Sequence, residues 1–275
     1  MIRRHPNIIT VIQTRRGSSR LPDKVMMPLA GKPLFVRQAQ RVLASQLAGT
    51  VVIAATTDKA DNIIEKTCIE EGLKCFRGDA KDLLDRHYQA ALEYKAGVVI
   101  KIPSDCPLID PAIIDRVIHF YLKNENSTEN DYASNLHPAT YPDGNDVEVM
   151  SFNVLKQAWH EADKEFEREH TTPFIWERTD RFKIGNVLMP GGKDYSMSHR
   201  WTIDYIEDYT FIKSVYDELY EKNHLFSYLD IMQLIEKRPD IYSINSHLAG
   251  VNWYREHLHE LKTISPLQTK NSAKV

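Results

Sequence analysis

The chain reads as an α/β protein: a mostly parallel, Rossmann-like sheet with helices on both faces and an inserted α+β lobe. Three observations carry that prediction. Short apolar runs rich in β-branched residues recur at 8–12, 51–55 and 98–102, as buried strands do. Segments of helical period lie between them, and alternating strands and helices build a parallel sheet covered on both faces. Polar loops follow these runs at 13–24, 56–58 and 103–106, and open α/β sheets bind ligands beyond the carboxyl ends of their strands.

The first strand, Ile8 to Ile12, runs into a cationic loop carrying Arg15, Arg16, Gly17, Ser18, Ser19, Arg20, Pro22 and Lys24. Glycine and serine let backbone N–H groups converge into an anion-binding nest, and guanidinium forks match phosphate oxygens. The loop is neither a Walker A sequence nor GxGxxG. Its local chemistry points to polyphosphate, and equally to a basic surface loop after an edge strand. A helix is expected over 33–48, with Pro33 in its first turn. The second strand ends in Thr56-Thr57-Asp58, and a helix over 59–72 stops at Gly72. A short strand at 74–76 precedes a helix capped by Asp79 and running to Tyr94. After the strand at 98–102, Asp110-Pro111 opens a helix to about Lys123.

Beyond the polar connection 124–130 the rhythm changes. Strands are expected at 131–134, 146–151 and 182–188, with helices at 153–164 and 167–178. Residues 135–195 are taken as the inserted lobe, covering substrate and carrying a dimer contact, within one domain spanning 1–263. The segment 197–204 is expected to return to the main sheet as a strand. Helices follow at 206–221, 228–237 and 248–261, and 264–275 is expected as a frayed tail.

Bulk properties narrow the function. A chain of 275 residues, 42% hydrophobic and 27% charged, holds a sizeable core. A net charge of −3 provides no global field for nucleic acid or membrane surfaces, so an anion site must be local. No apolar run reaches the roughly 20 residues of a membrane span, and the N-terminus has no signal-peptide pattern. Cys68, Cys75 and Cys106 show no CxxC spacing, which fits reduced thiols in a cytoplasmic protein, and zinc is not expected.

The stretch RRGSSRLPDKVMMPLAGKPL resembles the signature loop of the sugar nucleotidyltransferases, particularly the cytidylyltransferases that activate acidic sugars. The similarity extends to GDAKDLLDRHYQAA (78–91), IPSDCPLIDP (102–111), GNDVEVMS (144–151), EREHTTPFI (167–175) and HRWTIDYIEDY (199–209). It is strongest toward the SpsF-like branch, related to synthetases of CMP-activated sialic acid and KDO. The resemblance implies a GT-A-like fold, CTP as donor, Mg²⁺ as cofactor and a homodimer. It matches Arg15, Ser18, Ser19, Arg20 and Lys24 to the triphosphate loop, with Arg20 and Lys24 nearest the departing pyrophosphate. Arg16 is expected to face solvent or another subunit. It matches Thr56, Thr57 and Asp58 to the segment beneath base and ribose, with Gln13 and Ser104 as side-chain helpers.

Nucleotidyl transfer relies on positioning and charge neutralisation, and Mg²⁺ takes one or two carboxylates beside phosphate oxygens and water. The resemblance assigns that role to Asp105 and Asp204; read locally, each also suits a helix cap. Asp208 is placed at a helix start. Asp85, Arg86 and His87 lie on a helix that the family brings near the site, or simply show a solvated face. Asp146 and Glu148 alternate on one strand and point to hydroxyl or ammonium recognition, whereas a sugar carboxylate would want arginine. Arg168, His170, His199 and Arg200 are the nearby cations, with His170 and Arg200 chosen as acceptor-binding; an ion-paired interface with Glu167 and Glu169 explains them equally. The reading is a Mg²⁺-dependent cytidylyltransferase acting on an acidic sugar or small phosphorylated acceptor. A nucleotide-sugar glycosyltransferase and a non-enzymatic nucleotide-binding protein are the alternatives; the missing DxD and the paired aspartates argue against them.

Overall fold

The computed structural model describes residues 6–124 and 130–270. β1 is Ile8–Gln13, and a small hairpin, β2 (Pro28–Leu29) with β3 (Lys32–Pro33), leads into α1, Leu34–Leu43. Next come β4 (Thr50–Thr56), α2 (Asn62–Glu70), β5 (Lys74–Gly78), α3 (Leu83–Glu93), β6 (Val98–Pro103) and α4 (Pro111–Asn124). All the strands and helices expected in this half form, with shifted ends. Asp79 does not cap α3: its carboxylate accepts the Lys81 and Asp82 N–H groups, and Asp82 is the cap, accepting the Asp85 N–H at 2.8 Å. Helix α1 stops at Leu43 because the Ser45 hydroxyl and the Asp115 carboxylate take up the amides of 46–48.

These strands form one sheet in the order β5-β4-β1-β6, all parallel. Period-two alternation distributes the apolar residues between two cores. Ile12, Ile53 and Ile100 pack with α1, α2 and α4, while Ile9, Val11 and Val99 pack with α3.

The second half carries β7 (Tyr132–Ser134), β8 (Glu148–Ser151), α5 (Phe152–Glu161), α6 (Glu165–His170), α7 (Pro173–Trp176) and β9 (Ile184–Asn186). Its strands extend the same sheet: β8 pairs antiparallel with β6 and with β7, and β9 runs parallel to β7. The segment 135–195 is therefore threaded onto the main sheet, and α5–α7 join the α3 face. The expected helix over 167–178 divides at Thr171, whose φ is +73°. The connection expected at 124–130 lies mostly outside the described residues.

The return at 197–204 is not a strand. A single bridge joins Arg200 to Asp143, and the Ile203 N–H donates to the Asp105 carbonyl at 3.1 Å. α8 (Ile206–Leu219), α9 (Tyr228–Lys237) and α10 (Pro239–Ser243) then pack with Trp201 and Ile203 in a third core. The helix expected over 248–261 is reduced to α11, Tyr254–His257. Gly250 sits at φ +84°, and the Asn252 side chain donates to the Gln268 carbonyl at 2.9 Å, so the chain turns back instead. Within the expected tail Ile264 and Thr269 are buried and the Lys270 N–H donates to the Gly250 carbonyl, while Ser265, Pro266, Leu267 and Lys270 are exposed.

Gly144 decides how this return seats. Its φ is +104°, and a Cβ there would lie 2.6 Å from the Trp201 carbonyl carbon. Gly144→Ala should lower stability by roughly 2–3 kcal/mol, read as an earlier thermal melt; an unchanged melt would show that the 200–204 segment seats independently.

Candidate active site

The loop after β1 is braced from beneath. Asp61 is buried, accepts the Arg16 N–H at 3.0 Å and the Thr56 hydroxyl at 2.5 Å, and so ties the loop to the end of β4. Arg16 stays partly exposed to solvent, as expected, and its guanidinium grips Asp23 at 2.7 and 2.9 Å and donates to the Ala60 carbonyl. The Asp23 N–H donates to the Arg16 carbonyl at 3.1 Å, closing the loop on itself. Among the described residues the amides of Gly17, Ser19 and Arg20 donate to no protein acceptor, which leaves them for an anion. Nothing lies within 4 Å of a Cβ built on Gly17.

The two charges chosen in that loop meet the two chosen aspartates. Lys24 is buried; its ammonium donates to the Ile203 carbonyl at 2.7 Å and lies 3.0 Å from Asp204 Oδ1 and 3.9 Å from Asp105 Oδ2. Arg20 reaches the same Asp204 oxygen at 2.9 Å. Burial would raise the Asp204 carboxyl, but Lys24, Arg20 and Arg200 hold it below its ordinary value. Neither aspartate is a helix cap. Asp110 holds the first turn of α4 through the Ala112 N–H at 2.7 Å, and Tyr205 precedes α8.

Arg200 is a structural hub and has no guanidinium face left for an acceptor. It is 2% exposed, holds Asp208 at 2.8 and 3.1 Å, and contacts Asp143 and Asp204, each at 3.4 Å. It also donates to the Val251 carbonyl at 2.6 Å. Asp208, placed by sequence at a helix start, is there and fully buried; it accepts the N–H groups of Asp204 and Tyr205 besides pairing with Arg200. Burial pushes the Asp143 carboxyl up to about 7 despite Arg200, with Asp105 and Asp204 adding to the rise. Burial together with Asp143 and Asp105 also raises Asp146 well above the carboxylate range.

A cavity of about 330 Å³ opens on the β6–β8–β7 half of the sheet. Gln13, Arg20, Asp105, Asp146, Glu148, His170, Arg200 and Asp204 all reach its wall. Glu148 is not open for a ligand ammonium: the buried Lys101 ammonium pairs with it and the Tyr132 hydroxyl donates to it at 2.6 Å. Lys101 was not anticipated, although a lysine inside the apolar run VVIKIP was its signal. His170 is not a cation. Its ring stacks on Trp253 at 3.7 Å, and burial lowers its imidazole to about 3. Arg168 pairs with Asp82 at 2.9 Å and His199 accepts from or donates to the Ser198 hydroxyl at 2.8 Å, both serving the framework. Glu167, for its part, pairs with Arg178 at 2.7 Å.

Arg15, Thr56, Thr57, Asp58 and Ser104 lie outside that wall. Arg15 is exposed, and Thr56 is engaged by Asp61. Thr57 donates its N–H to the Gly78 carbonyl at 2.9 Å, while Asp58 donates its own to the Thr56 hydroxyl at 3.2 Å. Close to them Arg86 is 2% exposed, with Nε and Nη1 lacking a partner among the described residues. Burial, with Arg15 adding to it, lowers this guanidinium to about 10. The cavity thus lies over β6, β8 and β7, and the loop after β1 with the ends of β4 and β5 lies beside it. Arg20, Lys24, Asp105 and Asp204 stand where they meet.

A cationic loop with open amides, facing Asp105 just beyond the carboxyl end of parallel β6 and Asp204 on the return to α8, is the arrangement of a nucleotidyltransferase. Residues 9–247 match the cytidylyltransferase family model, and the chain belongs to that family. It is 30% identical over 239 residues to the spore coat polysaccharide biosynthesis protein SpsF of Bacillus subtilis, covering 85% of this chain and 96% of that one. It is 35% identical to an uncharacterized protein of Methanocaldococcus jannaschii, covering 90% and 98% respectively. A solved cytidylyltransferase structure from Leptospira borgpetersenii superposes with a TM-score of 0.81 at 31% identity, covering 86% of this chain and 97% of that one. Among the described residues no helix is long and apolar enough to cross a membrane.

Breaking the buried hub should be costly. Asp208→Ala leaves Arg200 charged and without its principal partner, and should destabilise by roughly 3–5 kcal/mol, measured by denaturant unfolding. A loss below about 1 kcal/mol, the range of an exposed pair, would show that the hub is dispensable.

Proposed function

We propose that this protein transfers CMP from CTP to an acidic sugar or small phosphorylated acceptor, with release of pyrophosphate, in surface polysaccharide or glycoconjugate biosynthesis. The observation that carries the reading is the sharing of one ammonium, that of Lys24, by Asp105 and Asp204 beside Arg20. Such an arrangement can hold a triphosphate and balance the charge that develops as it is cleaved. Family membership supports CTP as the donor. The two unpartnered donors of Arg86 support a pyrimidine offering acceptors, as cytosine does at O2 and N3.

An acceptor oxygen attacks the α-phosphorus, the new O–P bond replaces the bond to the β-phosphate bridging oxygen, and pyrophosphate departs with that electron pair. An acceptor hydroxyl would release its proton to water; an acceptor phosphate has none to lose. The open amides of Gly17, Ser19 and Arg20 and the Arg20 and Lys24 cations receive the leaving group.

Mg²⁺ fits the donor set. Two carboxylates converge on the place where Lys24 supplies positive charge, and this ion needs only one or two protein carboxylates. Among the described residues no group of three or more histidines, cysteines or acids forms a self-sufficient cage, which suits an ion completed by phosphate and water. Asp105 and Asp204 would hold the ion, which neutralises phosphate charge when bound. The reading also includes a homodimer and a reducing, cytoplasmic setting, the latter supported by three unpaired cysteines.

Three measurements test it. Calorimetric titration with the four nucleoside triphosphates should show CTP bound tightest; tighter binding of UTP or GTP would move the protein to another base preference. Arg20→Ala and Lys24→Ala should each lower the rate of pyrophosphate release by roughly 10²–10³, and wild-type rates in folded variants would remove the cradle. Asp105→Asn and Asp204→Asn should abolish turnover, with Asp204→Asn also lowering the melt because it leaves buried Lys24 without its nearest carboxylate; retained turnover in either folded variant would end its assignment to the metal.

A further inference from the structure

The last segment of the chain closes one side of the cavity. Trp253, Tyr254 and Gln268 reach its wall, and all three lie beyond residue 247, where the family match ends. The main body holds the segment in place. The Arg200 guanidinium donates to the Val251 carbonyl at 2.6 Å, and the Glu177 carboxylate accepts the Thr263 N–H at 3.0 Å. Tyr254 sits among aromatic rings, its centroid 4.7 Å from Trp253, 6.3 Å from Trp176 and 6.4 Å from His137. Such packing fixes the phenol ring and uses none of its hydrogen-bonding capacity. A tyrosine held this way ordinarily finds a partner for its hydroxyl. Among the described residues this hydroxyl has none, and it is left to a ligand.

The groups around it restrict that ligand. Burial raises the Tyr254 phenol well above its ordinary value, and Glu148, Asp146 and Asp143 add to the rise, so the hydroxyl keeps its proton and donates. Glu148 is matched by Lys101 and the Tyr132 hydroxyl, and Asp143 by Arg200. Asp146 accepts only the Gly144 N–H, at 3.3 Å, among the described residues. The Lys101 ammonium has three donors, and Glu148 is its one acceptor among the described residues. Lys101 lies within β6, and Asp105 follows the strand's carboxyl end, so this group is deeper in the cavity than the transfer centre. A phenol without an acceptor, a carboxylate short of donors and spare ammonium hydrogens suit a ligand with several hydroxyls. Each hydroxyl both donates and accepts, whereas an apolar ligand would leave all three protein groups unmatched.

We propose that Tyr254, Asp146 and Lys101 form a polyol subsite for the acceptor hydroxyls remote from the attacking oxygen, with Tyr254 donating to, and Asp146 accepting from, the same ligand hydroxyl. The inference rests on the transfer reading above and deepens it, and it applies to both acceptor classes named there. The acidic group of the acceptor stays at the Arg20 and Lys24 end, while the hydroxylated part extends toward Lys101. A sugar lacking the shared hydroxyl leaves Tyr254 and Asp146 unmatched and binds more weakly.

The test uses the full chain with 3-deoxy-manno-octulosonate, N-acetylneuraminate and glucose 1-phosphate, scored by pyrophosphate release with CTP and by calorimetric titration without it. Tyr254→Phe removes the hydroxyl alone. It should raise the KM of the preferred sugar by about tenfold, as the loss of one ligand hydrogen bond implies, with CTP affinity and the thermal melt unchanged. Asp146→Ala should raise it by a similar factor. The double variant should exceed the larger single effect only slightly, because both groups hold one hydroxyl; independent structural roles would make the two effects multiply. Where a sugar binds without turnover, its Kd is read in place of KM. An unaltered KM in folded Tyr254→Phe, multiplying effects in the double variant, or a wild type that binds none of the three sugars would overturn the proposal. Should Tyr254→Phe fail to fold, Asp146→Ala decides, and an unaltered KM there overturns it. A wild type that binds no CTP would overturn the transfer reading instead, and titration of the same sugars would still decide the subsite.

Discussion

The site depends on one buried guanidinium. Arg200 joins three stretches that are distant in sequence: Asp143 in the turn between β7 and β8, Asp204 and Asp208 at the return to α8, and Val251 near the end of the chain. Matching the donors of a buried arginine offsets the cost of its burial, and a matched one is held rigidly. Asp208 supplies the principal match and also accepts the Asp204 and Tyr205 amides, so the backbone bearing Asp204 is fixed from both sides. With no strand in the return, the polar hub does what sheet hydrogen bonds would otherwise do. The Ile203 amide on the Asp105 carbonyl then sets the register between the two carboxylates.

Once that geometry is fixed, electrostatics follows. Asp105, Asp143, Asp146 and Asp204 crowd one end of β6 and β8, and burial makes their repulsion expensive. The protein answers with Lys24, carried on the loop after β1 and turned inward through a hydrogen bond to the Ile203 carbonyl. The same residue therefore contributes to holding the fold together and to the charge available for phosphate. Asp143 and Asp146, lying farther from Lys24, carry the residual strain as carboxyls displaced upward. These two carboxyls hold their protons more tightly than ordinary ones, which relieves the crowding around Asp105 and Asp204.

Legibility in the sequence followed the length scale of the interactions. The alternating half was readable because period-two strands and amphipathic helices are local patterns. That Gln13, Arg20, Lys24 and Asp105 come together followed from their places after strands, and Asp204 joins them as the order of the motifs implied. What stayed hidden was set by contacts across long separations. Arg200 reads as a free cation until Asp208 and Val251 are placed beside it, and His170 reads as a charge until Trp253 covers it. The 248–261 stretch has helical composition, but Gly250 would clash with Met197 through any added Cβ, at 2.6 Å. Arg16 shows the same limit at short range: its partner Asp23 is close in sequence, yet only the closed loop reveals the pair.

The division of the sheet explains how such a chain can keep one reaction while changing what it acts upon. The compartment over β1, β4 and β5 is built from consecutive strand-to-helix turns, each braced by its neighbours through Asp61 and Gly78, so alterations there disturb the loop that holds phosphate. The compartment over β6, β8 and β7 borrows its outer wall from a terminal segment that contributes nothing to the sheet. That segment is attached by carbonyl and carboxylate contacts at its edges, and it brings Trp253, stacked on His170, and Tyr254 to the cavity. Replacing side chains on such a wall changes shape and polarity in the cavity without moving Lys24, Asp105 or Asp204. The Arg200 hub ties that terminal segment, through the Val251 carbonyl, to the same return that carries Asp204.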